Sequence, residues 1–251
     1  MGLTVCQAVC DDPELELVAA VDPHHVGIDV RQLGIQGAAI QVARTADAIA
    51  DAGAEVAVDF TVIDAARDNL AWCAKNNVHA VVGTTGFSND DIDSVRAAFD
   101  ASEANAVIVP NFAISAVLMV RFAELAAPYF DTVEIIELHH DEKIDAPSGT
   151  AIATAERIAA ASDQWGDDPT TNTVIEGARG GSGPGGIPIH AVRLRGLVAH
   201  QEVLLGTTGQ TLTVRQDSYD RTSYMPGVLL AIRAVRDKRG LTLGLDTLLG
   251  F

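Results

Sequence analysis

The chain has 251 residues, 48% hydrophobic and 20% charged, which is enough for one large domain or two modest ones and too apolar for intrinsic disorder. Seventeen Lys and Arg face 34 Asp and Glu, and the net charge of -17 would repel phosphate backbones and anionic lipid surfaces, so neither nucleic acid nor a membrane is an expected partner. The longest apolar run, residues 113–130, is broken by Arg121 and Glu124, and the first residues lack the basic start of a secretory signal. A cytoplasmic location is expected. Cys6, Cys10 and Cys73 match no zinc or redox spacing and read as reduced structural thiols.

Residues 3–10 carry a helix pattern. From about residue 14 to 162, short apolar runs alternate with helix-period segments, as in βαβ units on a parallel sheet. The runs at 15–21, 55–60, 78–82, 106–109 and 133–139 read as strands. Those at 63–75, 90–99 and 115–127 have apolar residues three and four apart and read as helices laid on a sheet. Ser88, followed by Asp90, Asp91 and Asp93, is an expected helix cap with acid in the first turn.

A further helix is expected at about 150–161. Beyond it a Gly-rich stretch, residues 177–186, leads into runs at 189–194, 199–205 and 211–216 with no helices between them, which predicts antiparallel strands of a second sheet. A helix at about 224–236 follows, and its Val228, Leu229, Leu230, Ile232 and Val235 need a partner surface. The expected fold is α/β: a Rossmann-like dinucleotide-binding domain (1–110 plus 222–251) and a second α+β domain (111–221).

Asp22 ends the 15–21 run, where open α/β sheets bind the ribose of a dinucleotide, and it follows Gly2 by 20 residues, the spacing from a glycine fingerprint to its acid. An Asp in that place is equally often a turn or cap residue. The rest of the fingerprint, a strand and a G-x-G-x-x-G turn, does not precede Gly2. The expectation is that in-frame sequence before Met1 supplies them, and that the chain without them grips a dinucleotide weakly. Three later strands end in Asp59-Phe60-Thr61, Gly83-Thr84-Thr85-Gly86-Phe87 and Pro110-Asn111-Phe112. Loops in such places hold a cofactor's ribose and nicotinamide, although singly each is also an ordinary turn or cap.

The densest constellation runs from Glu137 through His139, His140 and Lys143 to Ser148, Gly149 and Thr150. It starts as a strand and ends as a helix start, so imidazoles and an ammonium converge on unpaired amides that suit an anion such as a carboxylate. Lys143 is one of only three lysines in the chain and can supply a charge or a proton. Ser148 also reads as a plain helix cap. A metal site is not expected, because adjacent strand residues point to opposite faces and no His recurs at helix spacing.

These segments resemble the bacterial dihydrodipicolinate reductases, most of all the actinobacterial members. The shared residues are Asp59-Phe-Thr61, Val82-Gly-Thr-Thr-Gly-Phe87, Pro110-Asn-Phe112, Glu137-Leu-His-His140, Lys143-Ile-Asp-Ala-Pro-Ser-Gly-Thr150, Val192-Arg-Leu and Gly196-Leu-Val-Ala-His-Gln-Glu-Val203. The resemblance implies a homotetramer in which NADH or NADPH reduces a cyclic imine dicarboxylate, the step to tetrahydrodipicolinate in lysine and diaminopimelate synthesis. It assigns substrate binding and tetramerisation to the 111–221 domain. By motif position it makes His139 the acid/base and Lys143 the proton donor, with His140, Ser148, Gly149 and Thr150 at the substrate carboxylates. Gly83, Thr84, Thr85, Val109, Pro110, Asn111 and Phe112 would line the nicotinamide side, and Asp22 the adenosine ribose. Val109 stands where Ala or Ser is more usual, a change that a backbone contact tolerates. Two other readings stay open: a different two-domain dehydrogenase of amino-acid metabolism, and a noncatalytic metabolite-binding homologue.

Overall fold

The structure, a computed structural model, describes residues 1–251. In chain order the main elements are α1 (Gly2–Asp11), α2 (Asp47–Asp51), β1 (Val56–Asp59), α3 (Ile63–Asn76), β2 (His79–Val82), α4 (Asn89–Asp100), β3 (Ala106–Ile108), α5 (Ile114–Ala126) and β4 (Thr132–His139). Then follow α6 (Gly149–Ala161), β5 (Gly181–Ser182), β6 (Pro188–Arg193), β7 (Ala199–Thr207), β8 (Gln210–Ser218), α7 (Met225–Ala234), β9 (Leu241–Leu243) and α8 (Asp246–Leu249). They form two compact units, Met1–Ile114 with Arg221–Phe251, and Ser115–Asp220.

In the first unit β1, β2, β3 and β9 make a parallel sheet in that order. Parallel neighbours need crossovers, which α3 and α4 supply. Ala66, Leu70 and Cys73 of α3 and Val95 and Phe99 of α4 pack with Ala80, Val82, Ala106, Ile108 and Leu241 in one core. Val81 and Val107 point to the other face by strand alternation, and α7 packs against β2 with Val228 and Ala231 fully buried. A fully buried Phe or Leu such as Phe99 or Leu70 contributes roughly 1.5–3 kcal/mol. Ser88 caps α4 as expected, in a reciprocal capping box with Asp91.

Residues 15–21 do not form the expected strand: only Val21 bridges Ala43. A parallel strand exists through its ladder, and β1, the edge of this sheet, pairs with β2 alone. The run instead joins a small apolar cluster in which Leu17 and Ala20 pack with Val30, Ile35 and Val42 beside Cys6 and Cys10 of α1.

The second unit has a five-stranded sheet in the order β5-β6-β4-β7-β8. Its Met119 and Ala123 (α5) and Ala151, Ala155 and Ile158 (α6) cover one face through Val133, Ile135, Ile189, Val203 and Leu205. Two expectations fail here. The 133–139 strand belongs to this sheet instead of continuing the parallel one, and β6, expected antiparallel, runs parallel to β4. The connection from β4 to β6 contains α6 and is long enough for a crossover, which permits parallel pairing; β7 and β8 are joined by a tight turn and pair antiparallel.

Candidate active site

Alternation on β4 sends Val133, Ile135, Glu137 and His139 to the helix-covered face. The first two are core. Glu137 has no solvent exposure, so its carboxylate must be bonded on both oxygens. Oε2 accepts from His139 Nδ1 at 2.6 Å and Arg193 Nη1 at 2.8 Å; Oε1 accepts from Arg193 Nη2 at 2.8 Å and the Ser148 amide at 3.0 Å. Arg193 comes from β6, where His139 is its register partner, and Nη2 also donates to the Asp145 carbonyl at 2.6 Å. Burial pushes the Glu137 carboxyl up, but bonds from Arg193 and then His139 outweigh it and hold the carboxyl below its ordinary value. Burial likewise pushes His139 down; the Glu137 hydrogen bond and charge work against this, and the Lys143 and Arg193 charges add to it, leaving His139 below the usual histidine value.

Past His139 the chain turns, the Lys143 amide donating to the His140 carbonyl at 3.2 Å. Lys143 Nζ lies 2.7 and 2.8 Å from the two Asp145 oxygens, and His140 is exposed. Ser148 is buried and caps α6, its Oγ accepting from the Ala151 amide at 3.2 Å. Helix geometry leaves the first amides of α6, on Gly149 and Thr150, without intrahelical partners. A Cβ built on Gly149 meets nothing within 4 Å, so a ligand can approach that turn. The second unit thus gathers His139, Lys143 and the Ser148-Gly149-Thr150 helix start on one β4-to-α6 connection, with His140 on the same turn.

In the first unit three adjacent strands deliver their carboxyl-end loops side by side. Asp59, buried, accepts from the Thr61 amide and hydroxyl at 2.7 Å each and from Asn69 Nδ2 at 2.7 Å. Thr84, also buried, donates to the Thr61 carbonyl at 2.9 Å, which ties the second loop to the first. The Phe60 ring lies so close over Gly83 that an added Cβ would be 2.2 Å from it, and it meets Phe112 at a centroid distance of 5.6 Å. Gly83 is therefore where the first loop crosses the second. Val109 is buried, its amide donating to Val82; Thr85 and Pro110 are exposed; Asn111 accepts from the Ala113 amide. Asp22 accepts from the His24 amide at 2.7 Å and lies 3.0 Å from His25 Nδ1, and these bonds hold its carboxyl below the ordinary value.

The sequence marks Asp59 only as part of a cofactor-side loop and gives neither Arg193 nor Glu137 a role of its own, although both lie in the segments shared with the family. A signal was present for Glu137: two residues before His139 on a strand, it shares that ring's face, and a carboxylate on a buried face demands partners. Arg193 and Asn69 carry no such mark, since only the β4–β6 register and the α3–β1 crossing bring them to their acids.

A parallel sheet with linked strand-end loops, together with a separate unit holding an imidazole, an ammonium and an open helix start, defines a two-domain α/β oxidoreductase. The comparisons with known proteins narrow this. The family descriptions "Dihydrodipicolinate reductase, N-terminus" and "Dihydrodipicolinate reductase, C-terminus" match residues 1–112 and 115–249. The 4-hydroxy-tetrahydrodipicolinate reductase of Corynebacterium urealyticum is 45% identical over 100% of this chain and 94% of its own. That of Mycolicibacterium gilvum is 53% identical over 80% of this chain and 83% of its own. Among solved structures, the dipicolinate-bound dihydrodipicolinate reductase of Paenisporosarcina sp. TG-14 superposes with a TM-score of 0.87 at 39% identity, covering 98% of this chain and 95% of that one. An amine dehydrogenase from Mycobacterium smegmatis, at 14% identity and a TM-score of 0.59, shares the fold alone. The chain belongs to the dihydrodipicolinate reductase family.

Proposed function

We propose that this protein is a 4-hydroxy-tetrahydrodipicolinate reductase, reducing its cyclic imine dicarboxylate with NADH or NADPH to tetrahydrodipicolinate and water. The observation that carries the reading is the β4-to-α6 connection, where His139 and Lys143 lead directly into the open start of α6. A dicarboxylate needs anion sites, and the amides of Gly149 and Thr150, with His140 and the Ser148 cap beside them, supply one. Lys143 is the proton donor. Its ion pair with Asp145 is the contact a substrate carboxylate would compete with, which turns the ammonium from Asp145 toward the substrate. His139, held through Nδ1, presents Nε2 as the acid/base.

The dinucleotide, when bound, supplies the hydride. The residues present fit its adenosine and nicotinamide ends, Asp22 carrying a part-exposed carboxylate for the adenosine ribose, whereas the glycine-rich turn expected to hold the pyrophosphate does not precede Gly2. Gly83, Thr84, Thr85 and Val109 to Phe112 line the nicotinamide side. Thr84 and Val109 are buried there and act through backbone groups, which agrees with Val in the latter place.

The cytoplasm is the compartment assigned, where reduced dinucleotides are supplied and the free cysteines stay as thiols. A homotetramer is supported by the second sheet. Its face away from α5 and α6 interleaves half-buried Ile136, Leu138, Val192 and Leu204 with the ion pairs of Glu134 with His190, Glu202 with Arg215 and His200 with Asp217, a surface of mixed character suited to another copy. The test of the function is substrate-dependent oxidation of NADH and NADPH. Turnover with at least one dinucleotide is expected, and its absence with both would overturn the reading.

A further inference from the structure

The fully buried Glu137 is placed as no core carboxylate need be, with four donors from three different segments converging on its two oxygens. Arg193 alone would neutralise it. The bonds to His139 and to the Ser148 amide do something else, since they fix the imidazole and the helix start to the same rigid group. We infer that Glu137 is the positioning residue of this site: its carboxylate holds the His139 ring with Nδ1 protonated and ties that ring to the start of α6. The inference rests on the reading of His139 as acid/base.

A carboxylate only accepts, so the 2.6 Å contact requires a proton on Nδ1. In the neutral ring the lone pair then lies on Nε2, the nitrogen left to meet substrate. Arg193 makes this possible without trapping the ring as imidazolium. By balancing the Glu137 charge through a two-pronged pair, it weakens the pull of the carboxylate on a second proton, so the ring can both take and release one. The charged groups facing His139 are Glu137 on its own strand, Arg193 on β6, and Lys143 in the following loop, itself paired with Asp145. The β7 register partner, Ala199, adds none. Arg193 extends the clamp by donating to the Asp145 carbonyl, so the loop that carries Lys143 is held by the same pair.

Glu137→Gln would keep the size but offer one acceptor oxygen, and it would turn an amide N–H toward groups that are themselves donors. The test uses the full-length protein with 15N-labelled histidine. In the wild type, the neutral His139 ring should show its proton on Nδ1; a proton mainly on Nε2 would overturn the inference whether or not any variant folds. In Glu137→Gln, the titration midpoint of His139 should move to lower pH, because a negative neighbour has been removed. The pH profile of kcat/KM should move with it, and kcat should fall about a hundredfold while KM for the dinucleotide holds. A variant with lowered thermal stability but an unchanged His139 titration and kcat would show that Glu137 only supports the fold, and would overturn the inference. The ring measurements need no turnover, so an inactive wild type would count against the proposed function and leave the role of Glu137 to be decided separately.

Discussion

The chain buries two carboxylates, one in each unit, at the carboxyl ends of strands, and they are satisfied in opposite ways. Asp59 of the first unit takes neutral donors only, from Thr61 and Asn69. Glu137 of the second takes a guanidinium, an imidazole and a helix amide. Neutral donors hold a loop in shape without bringing a second titrating group to it. Cationic and titratable ones tie the shape to a proton, which is the setting the proposed proton transfer requires.

That contrast is open to attack from the site outward. Lys143→Ala should lower kcat about a hundredfold or more if the ammonium gives a proton, and His139→Ala should act on turnover more than on binding. Steady-state kinetics decides both, and a raised KM with unchanged kcat for Lys143→Ala would reduce that residue to a carboxylate contact.

The next largest effect is on stability. Arg193→Ala leaves Glu137 buried without its counter-charge and should cost about 3 kcal/mol in denaturant unfolding at neutral pH. The sign with pH follows from the depressed Glu137 carboxyl. Its contribution is present above the ordinary carboxylate value and disappears as pH falls through the lower, folded value. The Arg193→Ala penalty should therefore shrink in acid.

Asp59→Ala should behave differently. Stranding the Thr61 and Asn69 donors should cost about 2 kcal/mol and weaken dinucleotide binding, with the pH profile of turnover unmoved. A shift in that profile would break the distinction between the two carboxylates. Gly83→Ala belongs to the same region: its methyl would displace the Phe60 ring, costing about 1–3 kcal/mol by overpacking, and a smaller residue at position 60 should restore most of the loss. The smallest effect is Ser148→Ala, about 1 kcal/mol for a lost cap, read by thermal unfolding.

The same two regions show how much the sequence discloses. In β1, β2 and β3 with α3 and α4, apolar period and turn residues place each element within a residue or two, because each βα pair is closed by contacts near in sequence. Residues 15–21 carry the same apolar pattern and form no strand, since pattern makes a segment fit for a sheet and only a ladder partner puts it there. The mixed direction of β6 is hidden for a related reason: the lack of a helix between the 189–194 run and its successors says nothing about its pairing with β4. At the site, His139, Lys143 and Ser148 share one stretch of chain and were visible as a unit. Arg193, 56 residues from Glu137, enters through strand register alone.

Transfer of deuterium from 4-deuterated NADH or NADPH tests the proposed chemistry most directly, with wild-type protein and Lys143→Ala compared at equal dinucleotide saturation. Deuterium should appear in tetrahydrodipicolinate with the wild type, and the variant should bind the dinucleotide yet transfer about a hundredfold more slowly. No transfer by the wild type from either dinucleotide would contradict the assigned reaction, and undiminished transfer by the variant would contradict the role given to Lys143.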